Sequence, residues 1–144
     1  MNPRSRLQMI LHGAAVILLG LAAGIPYALV VTGSLAGEER AWRMAHAEGL
    51  QNGMLLLAIA GVGGRLVLDD RRSAILAWSL IAAGYGNVLA SVLGAVTGNR
   101  VLEAAAPAAN AVVFALFVVA MGGVLTGLVL LVAGARAAMK KGLP

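Results

Sequence analysis

Trp42-Arg43-Met44-Ala45-His46-Ala47-Glu48-Gly49-Leu50-Gln51-Asn52-Gly53-Met54 is where this chain turns from charged to apolar. His46, Glu48, Gln51 and Asn52 fall within seven residues, at the head of a segment that stays apolar to about residue 68. Groups that ionise or hydrogen-bond are costly in lipid, and they face protein, a ligand or water. One reading of the stretch is a ligand site with His46 as its hard point. The other is a helix end in the headgroup layer, where a histidine is harmless.

The rest of the chain sets the class. Of 144 residues, 60% are hydrophobic and 12% charged, against about 45–50% and about 25% in an ordinary soluble domain. The 19 glycines suit close helix packing in a membrane. The absence of cysteine excludes disulfides, thiolate metal sites and thioether-attached haem. A net charge of +5 raises the question of nucleic acid. The basic residues sit at segment ends rather than on one face, so a nucleic-acid partner is rejected.

Four apolar runs follow, at about 7–31, 45–68, 74–98 and 108–135. Each exceeds the roughly 20 residues needed to cross the hydrocarbon core. The first is too long for a signal-peptide core of about 7–15 residues and is read as a retained span. The expectation is an all-α, polytopic membrane protein: one domain over 1–144, four transmembrane helices in an antiparallel bundle. With both termini in the cytoplasm, Arg4, Arg6, Arg65, Arg71, Arg72, Arg136, Lys140 and Lys141 lie inside and Arg40, Arg43 and Arg100 outside. That imbalance is the positive-inside signal; the location expected is an inner membrane of bacterial type.

Within the spans, small-residue pairs at spacing four (Gly20/Gly24, Gly49/Gly53, Gly94/Gly98, Gly123/Gly127) suit helix–helix contacts. Thr32 or Ser34 is expected to cap the second helix, with Glu38 and Glu39 at its positive end. His12 reads as an interfacial residue near the inner face, roughly 20–30 Å from His46 by helix rise. A bis-histidine site within one subunit is thereby excluded. His46 and Asn52, six apart, point about 240° from each other around a helix, so one ligand class would meet them from neighbouring subunits. Asn87 and Ser91 share a face of the third helix, either to line a pocket or to hydrogen-bond between helices. Tyr85 and Trp78 read as interfacial or core aromatics.

The run Trp42-x-x-Ala45-His46 with Asn52-Gly53-Met54, together with His12-Gly13, Gly86-Asn87-Val88 and Asn99-Arg100-x-Leu102, resembles the styrene oxide isomerase family. The resemblance covers most of the chain in order. It implies a small four-helix membrane protein that assembles as a homotrimer with haem b at its subunit interfaces. His46 would be the axial iron ligand, with Trp42 beside it in the cofactor site, and Asn52, Asn87 and Ser91 would line the catalytic site. The implied reaction is the Meinwald rearrangement of a small hydrophobic aryl epoxide. Ferric iron acts as a Lewis acid on the epoxide oxygen, the benzylic C–O bond opens, and a hydride shift gives the aldehyde without net redox change. Asn52 matches the asparagine that positions substrate. The family's catalytic tyrosine falls at Ser91, a shorter side chain with a less acidic hydroxyl, and Tyr85 lies off that face.

Two other functions fit the same residues. One is a non-catalytic haem protein (a sensor, carrier or electron-transfer subunit) using His46. The other is a structural membrane subunit without a cofactor.

Overall fold

A computed structural model describes residues 1–98 and 106–142. These residues form four α-helices: α1 Pro3–Val31, α2 Glu39–Val62, α3 Asp70–Thr97 and α4 Ala108–Lys140, with a 3-10 turn at Gly63–Arg65. No strand occurs among the described residues. The motif Asn99-Arg100-x-Leu102 and the exterior charge of Arg100 lie outside them.

The helix starts are set by short polar side chains. Asn2 accepts from the Ser5 amide at 2.9 Å, and Asp69 from the Arg72 amide at 2.7 Å, each satisfying a donor that the first helical turn leaves open. α2 begins differently. Glu38 is its N-cap, but its side chain does not cap the first amides of the helix, while Thr32 closes α1, its hydroxyl donating to Ala28 O at 3.0 Å. The expected role of Thr32 or Ser34 as the α2 cap is therefore corrected: α1 runs on to Val31 and needs partners for its own last carbonyls. Gly98, at φ 70°, ends α3 in the left-handed region that favours glycine. It therefore serves as a cap and not as half of a packing pair with Gly94.

α1, α3 and α4 are each long and apolar enough to cross a membrane, which marks the chain as a membrane protein. α2 has the length, about 36 Å by helix rise, but carries Glu48, Gln51 and Asn52 mid-way. It lies antiparallel along α1, and glycines allow this. A Cβ on Gly20 would stand 2.8 Å from the Gly49 backbone, and one on Gly13 would stand 3.0 Å from Gly53 O. Two backbones meet where side chains would otherwise hold them apart.

α3 packs on α2 and α1, and α4 packs on α3. Gly86 lies against Leu116 and Ala120, and Gly123 and Gly127 against Ser79, Ala83 and Leu80. The core gathers Met9, Val16, Leu56, Ile59, Leu76, Leu80 and Ile81 from α1, α2 and α3. α4 packs closely along α3, and its Leu130, Leu131 and Ala135 close the core from that side.

The chain folds its basic ends together. The Met1 amine donates to Gly63 O at 3.0 Å and Leu66 O at 2.6 Å, Asn2 Nδ2 to Asp70 at 2.9 Å, Arg6 to Ala60 O at 2.9 Å, and the Val67 amide to Gly134 O at 3.2 Å. Burial, and then the nearby Arg6 charge, hold the Met1 amine below its ordinary pKa. The segments bearing Arg4, Arg6, Arg65, Arg71, Arg72 and Arg136 consequently meet at one end, while Arg40 and Arg43 start α2 at the other.

Candidate functional site

His46 stands seven residues into α2, about 10 Å along it by helix rise, half-buried against α1. Its Nδ1 lies 2.8 Å from Gly20 O. A carbonyl only accepts, so Nδ1 carries the proton, and in the neutral ring the Nε2 lone pair is left bare. The space for the ring comes from Gly24, where a Cβ would sit 2.8 Å from Nδ1. Tyr27, one turn further along α1, stacks on the imidazole with centroids 6.2 Å apart and planes 21° apart. Carbonyl, glycine and tyrosine together fix the tautomer and the plane of this histidine. Such an orienting bond is typical of metal-binding histidines.

Trp42, one turn before His46, is 9% exposed and packs with Ala23 and Ala45, flanked by Val30 of α1 and by Val92 and Ala95 of α3. It wedges the three helices at this end. Its effect on a ligand at His46 runs through that packing.

The amides form a second group, on the opposite side of α2. Asn52 Nδ2 donates to Glu48 O and to Glu48 Oε2, both at 2.8 Å. Its Oδ1 accepts from Asn87 Nδ2 at 3.2 Å, which ties α2 to α3. Gly84 of α3 lies beside this contact, in ordinary van der Waals reach of Asn52. Ser91, one turn beyond Asn87, is 7% exposed, and its Oγ has no partner among the described residues. A buried hydroxyl left unpaired in this way is destabilising by about 1–3 kcal/mol.

The structure therefore brings Asn52 and Asn87 into contact, sets Ser91 on the same face of α3, and keeps His46 apart against α1. Sequence reasoning named Glu48 among the polar residues of the stretch but gave it no partner, and it did not single out Tyr27. The i, i+4 spacing of Glu48 and Asn52 was a usable signal; the stacking of Tyr27 depends on how α1 and α2 slide past one another.

His12 belongs to a third group. Its Nδ1 shares a hydrogen bond with Tyr85 Oη at 3.0 Å, and Trp78 lies at 5.4 Å between ring centroids. Because His46 sits beside Gly20 and Gly24, it is about 12–18 Å along α1 from His12 by helix rise. This corrects the expected 20–30 Å, since α2 is shifted further along α1 than the apolar runs suggest. The gap still far exceeds what two ligands of one metal ion span.

No curated protein matches the chain by sequence similarity. A sequence model of the family described as styrene oxide isomerase does match, over residues 5–136, a stretch that takes in all three polar groups and most of each helix. The chain belongs to the styrene oxide isomerase family.

Proposed function

We propose that the protein is a haem b-dependent membrane isomerase that converts a small aryl epoxide to the corresponding aldehyde. The observation that carries the reading is His46, pinned through Nδ1 with Nε2 left bare, in a chain of this family. No three His, Asp or Glu side chains converge on a metal position among the described residues. A metal at His46 would have to bring its other ligands with it, as a porphyrin does. When bound, the iron supplies Lewis acidity toward an epoxide oxygen.

The chain's own residues do the rest. Gly20 O and Tyr27 hold the His46 ring, and Asn52, Asn87 and Ser91 offer hydrogen bonds along the α2–α3 seam. His46 faces α1 and the amides face α3, so one ligand meets both sets only when a second copy contributes. This supports an oligomer with each α2 serving two sites; the homotrimer is carried over from the family resemblance, with Trp42 setting the packing beside the haem. The basic end is assigned to the cytoplasmic side of an inner membrane by the positive-inside rule.

A second reading, a non-catalytic haem protein using the same ligand, is favoured by Ser91. It stands where the resemblance places the family's tyrosine, and its hydroxyl reaches no partner among the described residues.

The test is the absorption spectrum of the protein purified in mild detergent, beside His46→Ala. A Soret band that collapses or shifts in the variant supports the haem and its ligand. Adding styrene oxide then separates the two readings: aldehyde supports the isomerase, and unchanged epoxide the second. No haem in the wild type, even after reconstitution, rejects both.

A further inference from the structure

Between the first turns of α1 and α3, at the basic end, lies a cavity of about 280 Å³ lined by Asn2, Arg4, Ser5, Gln8, Ala74 and Trp78. Asn2 is spent, since its Oδ1 accepts from the Ser5 amide and its Nδ2 donates to Asp70. Its three polar neighbours are not. Ser5 is 7% exposed, and its hydroxyl, the Gln8 amide and the Arg4 guanidinium make no hydrogen bond or ion pair among the described residues. Other cations of this end are engaged: Arg6 donates to Ala60 O, and Arg72 pairs with Asp69. Asp70, the carboxylate that Asn2 holds, does not line the cavity. Opposite these donors stands Trp78, half exposed, its ring braced by His12 at 5.4 Å and His12 in turn held by Tyr85.

A free guanidinium beside an amide and a hydroxyl suits an anion that accepts several hydrogen bonds, such as a phosphate. The volume falls just short of the roughly 300 Å³ at which pockets for drug-sized ligands begin, which leaves room for a phosphodiester and its first carbons. The surroundings say where that phosphodiester comes from. Exposed Leu7 and Leu11 each lie three residues on from a cavity residue, Arg4 and Gln8, and so share its side of α1. They lead away from the cavity along a helix apolar enough to span a membrane. Trp78 at the same level suits the headgroup layer. A soluble anion has no use for this apolar track, whereas acyl chains do.

We propose that this cavity binds an anionic phospholipid from the leaflet at the basic end. Arg4 holds the phosphodiester, Ser5 and Gln8 donate to its oxygens, Trp78 covers the glycerol, and the chains lie along Leu7 and Leu11. Basic pockets between membrane helices take anionic headgroups in this way. The site is separate from His46 and does not rest on the isomerase reading.

The experiment is native mass spectrometry of the full chain in mild detergent, titrated with phosphatidylglycerol, phosphatidylcholine or inorganic phosphate. Phosphatidylglycerol is retained at one per chain, in preference to phosphatidylcholine, whose choline brings a positive charge beside Arg4. Arg4→Ala weakens retention about tenfold to a hundredfold, the range for a hydrogen bond to a charged group. Arg71→Ala removes a cation of the same end that does not line the cavity, and costs no more than about fivefold. Both arginines are exposed, so both variants melt with wild type. Ala74→Leu fills the cavity, keeps every charge and abolishes retention.

Equal retention of phosphatidylcholine would reduce the site to an apolar groove and overturn the proposal. Equal losses from Arg4→Ala and Arg71→Ala would reduce it to diffuse surface charge, with the same result. Displacement of the lipid by an equal concentration of inorganic phosphate would make a soluble anion the occupant and overturn the lipid.

Discussion

Gly24→Ala is the substitution that asks most directly whether α1 is shaped around His46. In an ordinary helix interior, alanine is more favourable than glycine by about 1 kcal/mol. Here the new methyl would stand 2.8 Å from Nδ1 and 3.1 Å from Cε1 of His46. The ring must move, which breaks its bond to Gly20 O, worth about 1 kcal/mol net, and overpacks the crease at about 1–3 kcal/mol. Set against the helix gain, the variant is destabilised by about 1–3 kcal/mol. Haem affinity falls about 10–100-fold, the usual effect of losing a bond that orients a metal-ligating histidine.

The sign reverses once the ring is gone. In His46→Ala protein the same methyl has no imidazole to meet, and Gly24→Ala becomes stabilising by up to about 1 kcal/mol. Thermal unfolding in detergent, run on the four proteins of the cycle, reads the stability, and haem titration of the two that retain His46 reads the affinity. Equal shifts of the same sign in both backgrounds would refute the claim that Gly24 is there to seat His46.

The other expectations concern the seams. A Cβ on Gly49 would fall on the Cα of Gly20, a backbone atom that cannot rotate away, so Gly49→Ala destabilises by about 3 kcal/mol, at the upper end for overpacking, measured by thermal melting. Tyr85→Phe removes the bond to His12 and lowers stability by about 1 kcal/mol; the Soret band stays as in wild type, because His46 lies about 12–18 Å away along α1. Ser91→Ala removes a buried unpaired hydroxyl, raising stability by about 1 kcal/mol while lowering turnover of styrene oxide. A stability loss there would show that the hydroxyl has a partner in the assembled protein.

Helices were legible wherever the chain is apolar throughout, as in α1, α3 and α4, because length and hydropathy alone decide them. α2 was expected to reach outward past the start of its apolar run at about 45 to a cap at Thr32 or Ser34. It starts instead at Glu39 with Glu38 as N-cap, since its first turn is charged and carries no apolar signal to fix the start. The divergence of His46 and Asn52 around α2 followed from helical geometry. Their partners did not. Gly20 O is a backbone group with no residue signature, and Tyr27 meets His46 only because glycines let α1 and α2 slide into close register. Asn87 was placed on a useful face of α3 from its spacing to Ser91. That it bonds Asn52 depends on how α3 packs against α2, which spacing along one helix does not announce.

The glycine seam between α1 and α2 also divides the molecule by what can vary. Where Gly20 meets Gly49 and Gly13 meets Gly53, no larger residue fits, so the hairpin that presents His46 is frozen in composition as well as in shape. α3 meets the amide group through side chains, and a substitution at Ser91 does not touch that glycine contact. Descent within such a scaffold would leave the first two helices nearly constant and record new ligands as substitutions on one face of the third.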